Sequence, residues 1–312
     1  FYGSTGVVRA ADIDGDHDLD LFVGGRVIPG KYPETPLSKI YINDGKGNFT
    51  DATSRLAPAL EKIGMVTDAL WVDLDGDKLK DLTVVGEWMP VKVLMNEKGS
   101  LADRSERYIH FASSGWWNAI YAEDMDDDGD PDIIIGNQGL NAQFRASEKE
   151  PLTIHYKDFD GNGSIDPILS YYINGVSYPA LSRDDITEQL PMLKSKYTDY
   201  SSYANATIQD LFTPENFKDA QMLKAEILAS VYLENRGAEG FKMHLLPDEA
   251  QYAPMFAIGA LDIDNDKKKD LVLAGNNSWT RIKFGHFSAS YGTVLRGDGS
   301  GGFSYMPQPE SG

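Results

Sequence analysis

Five short acidic segments of the chain share one spacing of oxygen-bearing side chains, at positions 1, 3, 5 and 9 of a nine-residue loop. They are Asp12, Asp14, Asp16 and Asp20; Asp73, Asp75, Asp77 and Asp81; Asp124, Asp126, Asp128 and Asp132; Asp158, Asp160, Asn162 and Asp166; and Asp262, Asp264, Asp266 and Asp270. A β-prone apolar stretch precedes each loop, and four of the loops are followed by another such stretch, so each unit predicts a strand, an acidic turn and a second strand. This internal repeat favours an all-β repeat architecture.

Carboxylates crowded into nine residues repel one another unless a cation lies among them. A hard cation with six or more oxygen ligands at about 2.3 to 2.6 Å suits such a loop, and Ca²⁺ tolerates irregular geometry better than Mg²⁺ does. We therefore predict up to five Ca²⁺ sites. The residue at position 7 is included as a further ligand in each loop: Asp18, Leu79, Asp130, Ser164 and Lys268.

Two other interpretations of the loops are an EF-hand and an acidic hairpin without a metal. An EF-hand needs flanking helices and a Glu at position 12, and the chain has apolar residues there. These are Val23, Val84, Ile135, Leu169 and Leu273. The EF-hand is therefore excluded. Solvated acidic hairpins without a metal remain the alternative, although that alternative predicts no fixed spacing.

Composition excludes several classes of protein. The chain of 312 residues has no cysteine, which rules out disulfide scaffolds, thiolate zinc sites, iron–sulfur clusters and cysteine nucleophiles. Its 29 Lys and Arg against 48 Asp and Glu give a net charge of −19, which opposes binding to a phosphate backbone. No apolar run approaches the roughly 18 residues of a membrane span, so no transmembrane segment is predicted. Motifs of hydrolase triads and zinc proteases, such as GxSxG and HExxH, are absent from the sequence.

The acidic unit resembles the FG-GAP or VCBS repeat, which builds integrin α-subunit β-propellers and many exported bacterial proteins. Residues 41–51, which read YINDGKGNFTD, are similar to the third and fourth strands of that repeat and their glycine turn. Within the family, the chain is most similar to bacterial relatives of cartilage acidic protein. The resemblance covers nearly the whole chain apart from residues 183–221, and it implies a β-propeller whose strand 1 to strand 2 turns carry calcium.

Position 6 of the loops departs from the family pattern, which has glycine there. Only Gly129 and Gly163 agree, whereas His17, Lys78 and Lys267 occupy the other three places. Because a left-handed backbone suits glycine, and because basic residues crowd the last loop, we expect the third and fourth loops to bind most tightly and the fifth least.

The spacing of the loops predicts one β-propeller domain over residues 1–312, with roughly five visible blades and up to seven in the intact protein. Residues 183–221 are predicted to be a helical insertion, since Thr213 is a good N-cap and Pro214 suits the first helical position. Alternating apolar residues from Leu223 to Leu233 predict a strand after it. The short interval between the third and fourth loops leaves the third blade either truncated or completed in an unusual way. We expect the chain to be part of a larger polypeptide.

A second set of candidate residues lies just past the second strand of successive units. It comprises Arg26, Glu87, Trp88, Asn137, Asn141, Asn276, Asn277 and Trp279. Equivalent turns of a propeller meet on one face, and loops on rigid scaffolds commonly carry binding, so these residues are predicted to bind a carbohydrate or a protein. The alternative is that Gly and Asn form turns while the tryptophans cover blade edges.

Together these features predict a calcium-binding module for binding or scaffolding outside the cytoplasm, in the periplasm, at the cell surface or in the medium. Extracellular calcium sites of about 10⁻⁴ to 10⁻³ M fill only where free calcium is high. No enzymatic activity is predicted. A polysaccharide lyase or hydrolase is the first alternative, with Glu87 and Glu123 as the carboxylates to test. Nucleic-acid (RNA) binding is the second, and the net charge disfavours it.

Overall fold

The chain folds almost entirely into β-structure. A computed structural model describes residues 3–278, 280 and 285–307, and in these ranges 21 strands pair into five antiparallel sheets. The predicted all-β class is therefore confirmed. Each acidic loop connects the two antiparallel strands of one β-hairpin.

Three sheets are formed by strands that are consecutive along the chain. Sheet 1 contains β1 (Ser4–Ala11), β2 (Asp20–Val27), β3 (Lys39–Asn43) and β4 (Phe49–Asp51). Sheet 2 contains β5 (Met65–Val72), β6 (Asp81–Met89), β7 (Lys92–Asn96) and β8 (Leu101–Asp103), with β9 (Gly115–Trp116) paired on β6. Sheet 5 contains β18 (Ala257–Leu261), β19 (Asp270–Ala274), β20 (Thr293–Gly297) and β21 (Phe303–Met306).

Sheet 3 is interrupted by the whole of sheet 4. Its strands β10 (Ala119–Glu123) and β11 (Asp132–Gly136) are completed by β16 (Val231–Asn235) and β17 (Phe241–Leu245). Sheet 4 lies between them in sequence, with β12 (Leu152–Lys157), β13 (Asp166–Ile173), β14 (Val176–Pro179) and β15 (Gln221–Ala225) in the order β14-β13-β12-β15. The short interval between the third and fourth loops thus reflects an unusual completion of the third sheet.

The alternating segment from Leu223 to Leu233 forms two strands rather than the one predicted. Its first part is β15 of sheet 4, and its last part is β16 of sheet 3. Between them the backbone N–H groups of Glu226 and Ile227 donate to the carbonyl oxygen of Ser114. A period-2 pattern shows which residues share a face but not which sheet each half joins.

Short helices connect the strands. The segment 183–221 contains α3 (Arg183–Gln189), α4 (Tyr200–Tyr203), α5 (Ile208–Leu211), α6 (Pro214–Phe217) and the 3₁₀ turn Pro191–Ser195, while α1 (Thr53–Leu56) and α2 (Ser105–Tyr108) follow β4 and β8. Thr213 caps α6 by accepting the N–H of Asn216, as the sequence predicts. None of the helices in the described ranges is long and apolar enough to cross a membrane.

Apolar side chains pack between neighbouring sheets in a fixed succession. Phe22 of sheet 1 packs in one cluster with Leu82 of sheet 2, and further clusters join sheet 2 to sheet 3 and sheet 3 to sheet 5. Sheet 4 instead covers Met65 and Trp88 at the ends of strands in sheet 2, with Leu152 in the same cluster. The succession of four stacked sheets is consistent with a β-propeller-like repeat fold, and sheet 4 packs against the strand ends of sheet 2.

Candidate metal sites

The aspartate at position 9 anchors every acidic loop. Its Oδ2 accepts the backbone N–H of position 2 at 2.9–3.1 Å, and none of these residues is more than 4% exposed. They are Asp20, Asp81, Asp132, Asp166 and Asp270. In sheets 1, 2, 3 and 5 the Oδ1 atom accepts a second N–H from the end of the third strand, at Asn43, Asn96, Asn235 and Gly297 respectively. The position-9 carboxylate is therefore buried and held in one orientation.

Position 1 holds the turn through position 6. In all five loops, Oδ2 of the position-1 aspartate accepts the N–H of position 6 at 2.8–3.1 Å. The φ angles at His17, Lys78 and Lys267 are 72°, 74° and 71°, in the same left-handed region as Gly129 and Gly163. The loops therefore share one backbone path although three of them lack the glycine that would adopt it without strain.

Position 5 supports the turn as well. Its Oδ1 accepts the N–H of position 7 at 2.8–3.1 Å in every loop. At position 7, Leu79 and Lys268 have no side-chain oxygen, so only their backbone carbonyl groups could serve as ligands. Carboxylate oxygens of positions 1, 3 and 9 lie within 4.8 Å of one another in all five loops. The predicted residues thus converge, and positions 1, 3 and 9 form the tightest group.

The third loop provides the clearest test of fit to a cation. Oδ1 of Asp124 and Oδ1 of Asp126 are both buried, and neither has a hydrogen-bond partner in the described part of the chain. Buried polar atoms in proteins are almost always satisfied, and a divalent cation would satisfy both of these together. The loop has six aspartates and no Lys or Arg, so its donors suit a hard, oxygen-preferring ion.

The pKa values of several loop carboxyl groups reflect a surplus of negative charge in a partly desolvated site. Burial raises the pKa of Asp81 and of Asp132 to about 6. Burial, followed by the charges of Asp128 and Asp124, raises the pKa of Asp126. Each shift disfavours the ionised form that would coordinate a metal, and a bound cation would reverse it.

Neighbouring units are joined through these loops. The side-chain amide of Asn96 in sheet 2 donates to the carbonyl oxygen of Ile13 in the first loop, at 2.9 Å. In the same way, the amide of Asn235 in sheet 3 donates to the carbonyl oxygen of Leu74 in the second loop, at 3.2 Å. The sequence analysis gave these asparagines no role, although their recurrence at the end of the third strand is a signal that could have found them.

The structure brings Arg26, Glu87 and Trp88 together, but not on an open face. Arg26 forms an ion pair with Glu87, and the hydroxyl of Tyr32 donates to Glu87 Oε2 at 3.4 Å. Trp88 is 5% exposed, donates its indole N–H to the Tyr32 hydroxyl at 2.7 Å, and packs 5.2 Å from Trp116 between ring centroids. Sheet 4 covers this cluster, which explains the difference from the predicted exposed position.

Asn137 is fully buried rather than part of a ligand face. Its Oδ1 accepts the N–H groups of Trp116 and Gln138, and its Nδ2 donates to the carbonyl oxygens of Ile227 and Ala229. These bonds join the chain leaving β11 to the chain returning toward β16. The side chain is therefore committed to holding the inserted segment in place.

Among the remaining predicted face residues, Asn141 lines an open cavity of about 490 Å³. Its lining residues are Leu140, Asn141, Asp248, Gln251, Tyr252 and Ala289. The side-chain amide of Asn276 donates to the carbonyl oxygen of Ser290, and its Oδ1 accepts the N–H of Ser290. The backbone of Asn277 pairs with that of Phe287. Trp279 lies outside the described residues. Asn141 is thus the predicted residue that borders a cavity, whereas nothing in the sequence singled out Tyr252.

One comparison with known proteins agrees with the repeat. A family model described as the FG-GAP-like repeat matches residues 12–84 and 73–135, a stretch that contains the first three acidic loops. The crystal structure of the V. cholerae biofilm matrix protein Bap1 is similar at 9% identity and a TM-score of 0.27; the match covers 96% of this chain and 61% of that chain. No curated protein matches the sequence. Residues 12–135 of the chain are therefore similar to FG-GAP-like repeats.

Proposed function

We propose that the acidic loops bind Ca²⁺, and that the bound ions stabilise an extracytoplasmic binding or scaffolding module. The observation that carries this proposal is the repeated convergence of carboxylate oxygens within 4.8 Å. In the third loop, two buried oxygens, on Asp124 and Asp126, also have no hydrogen-bond partner in the described residues.

The carboxylates of positions 1, 3 and 9 would hold the ion, together with the oxygen of position 5 and the backbone carbonyl of position 7. Such a set supplies the several oxygen ligands that Ca²⁺ takes in flexible geometry, whereas Mg²⁺ demands a near-ideal octahedron. The ion would supply charge neutralisation, and it would tie the strand 1 to strand 2 turn to the buried aspartate at position 9.

The energetic effect follows from charge and from mass action. Two carboxylates about 4 Å apart repel by about 4 kcal/mol at an effective dielectric constant near 20, so the metal-free loops oppose folding. A site with a dissociation constant of about 0.1 mM contributes about 1.4 kcal/mol at 1 mM calcium. Several such sites together contribute an amount similar to the stability of an ordinary domain. The proposed location outside the cytoplasm follows from the calcium concentration that weak sites require.

Calorimetric titration of the metal-free protein tests this function. We expect saturable Ca²⁺ binding at about 10⁻⁵ to 10⁻³ M and much weaker binding of Mg²⁺. Asp124→Asn should lose one binding event, while Asp248→Asn, an exposed aspartate outside the loops, should titrate like the wild type. Absence of calcium binding, or equal affinity for both ions, would contradict the proposal.

For the partner, we propose a carbohydrate or protein ligand at the cavity beside Asn141. The cavity is open, and an exposed tyrosine, Tyr252, lies beside polar side chains, a combination common in binding surfaces. A binding role is favoured over catalysis because Glu87 is engaged by Arg26. A glycan array probed with the wild type and with Tyr252→Ala tests this site. Glycans that bind the wild type but not the variant support the site, and identical binding patterns contradict it.

A further inference from the structure

Lysine and arginine side chains of the chain itself face the fifth acidic loop. In the fifth loop, Nε of Arg296 lies 2.8 Å from Oδ2 of Asp264 at position 3. Nζ of Lys268 lies 3.8 Å from Oδ2 of Asp266 at position 5. Two of the oxygen-bearing residues that would coordinate a cation in this loop therefore already face basic groups.

The corresponding carboxylates of the other loops are not paired in this way. Within residues 3–278, 280 and 285–307, no ion pair to a basic side chain is formed by Asp14, Asp75, Asp126 or Asp160. The loops also differ in composition. The third has six aspartates without a Lys or Arg, whereas the fifth has four aspartates and three lysines.

Strand register explains why an arginine reaches this loop. Arg296 directly precedes Gly297, whose N–H donates to Oδ1 of the position-9 aspartate Asp270. The equivalent residues, each directly before the residue that donates to position 9, are Ile42, Met95 and Glu234. Met95 lines one cavity of about 320 Å³ together with Asp75 and Asp77 of the second loop. In sheets 2 and 5 this position of the third strand therefore borders the acidic loop of its own sheet.

We propose that Arg296 takes the place of a divalent cation at the fifth loop, so that this loop folds without calcium while the other loops bind it. A guanidinium remains charged at all relevant pH values and pairs well with carboxylates. A divalent ion entering the loop would have to displace it or lie beside a fixed positive charge. The inference rests on the proposed function and deepens it, because the side chain of Arg296 then determines whether the fifth loop is a calcium site or a turn that is stable without calcium.

Exchange of residues between equivalent positions tests this assignment. The number of calcium ions bound would be counted by equilibrium dialysis and by native mass spectrometry for the wild type, Arg296→Met and Ile42→Arg. Methionine is chosen because Met95 occupies the equivalent position in sheet 2. We expect Arg296→Met to bind one ion more than the wild type and Ile42→Arg to bind one fewer. Arg55→Met, in α1, changes the net charge equally outside the loops and should leave the number unchanged.

A second pair of variants tests the same assignment without placing a new side chain at position 42 or 296, so its result does not depend on whether Ile42→Arg and Arg296→Met fold. Asp264→Asn in the fifth loop should leave the calcium number unchanged, whereas Asp75→Asn, at the same position of the second loop, should lower it by one. The melting temperature gives a further readout: Arg296→Met should melt below the wild type in metal-free buffer, and saturating calcium should remove most of the difference.

The outcomes separate this inference from the proposed function. If the wild type binds calcium but Arg296→Met binds the same number, or if Asp264→Asn loses an ion, the inference is overturned and the calcium-binding function stands. If the wild type binds no calcium, both are overturned. A gained ion in Arg296→Met together with an unchanged number in Asp264→Asn supports the inference.

Discussion

Asp126→Asn should change the stability of the protein in opposite directions with and without calcium. Asp126 occupies position 3 of the third loop, and its carboxylate lies within 4.8 Å of those of Asp124 and Asp132. At 4.8 Å such a pair repels by about 3.5 kcal/mol at an effective dielectric constant near 20, and solvent around the exposed loop reduces the total to about 1–2 kcal/mol. The nearly isosteric amide removes this repulsion, so the metal-free variant should be more stable than the metal-free wild type.

In calcium the same substitution removes a charged ligand. A site that contributes about 1.4 kcal/mol at 1 mM calcium would lose most of that contribution. Since about 1 kcal/mol corresponds to roughly 2–4 °C in a chain of this size, we expect Asp126→Asn to melt about 3 °C above the wild type without metal. In calcium it should melt at or below the wild type.

Differential scanning calorimetry in metal-free buffer and in about 1 mM calcium measures both effects. Asp248→Asn serves as the control and should follow the wild type in both buffers. If Asp126→Asn melts below the wild type in metal-free buffer, the carboxylate is stabilising without a cation, and the reasoning from mutual repulsion is refuted.

Three further predictions concern the same loops and the segment that enters sheet 4. Because burial raises the pKa of Asp81 and Asp132 from 3.8 to about 6, the metal-free fold binds these protons more tightly than the unfolded chain and loses that stability as pH rises from about 4 to about 6. Calcium requires the ionised forms, so the calcium-induced rise in melting temperature should be full near pH 7 and small near pH 5; a rise that is independent of pH would contradict this. His17→Gly and Lys78→Gly should each raise the melting temperature by a few degrees, since left-handed backbone costs a non-glycine residue about 1 kcal/mol, and an unchanged or lower value would show that the strain is not released. Asn137→Ala should lower the free energy of unfolding in urea by about 2–4 kcal/mol, because it leaves buried backbone groups unpaired, and this loss should be the same with and without calcium.

Local sequence signals were sufficient for the repeated hairpins. The acidic spacing predicted a strand on each side of every loop, and the buried aspartate at position 9, such as Asp20 or Asp270, is part of that spacing. The N-cap Thr213 likewise marked the start of α6. Each of these features depends on residues close to one another in the chain, so its physical cause is visible in the sequence.

Features that depend on distant residues were not predictable in this way. The pairing of β11 with β16, through Ile134 and Tyr232, spans the whole of sheet 4, and no local pattern indicates which strand completes sheet 3. The burial of Trp88 follows from that insertion. The ion pair between Arg296 and Asp264 depends on strand register, and a basic residue in a third strand does not by itself indicate which carboxylate it meets.

Thermal unfolding of the same protein in metal-free buffer, in about 1 mM calcium and in about 1 mM magnesium tests calcium stabilisation most directly. With several sites of about 1.4 kcal/mol each, calcium should raise the melting temperature by roughly 10 °C, and magnesium should raise it far less. A melting temperature that is the same in all three buffers would contradict the account.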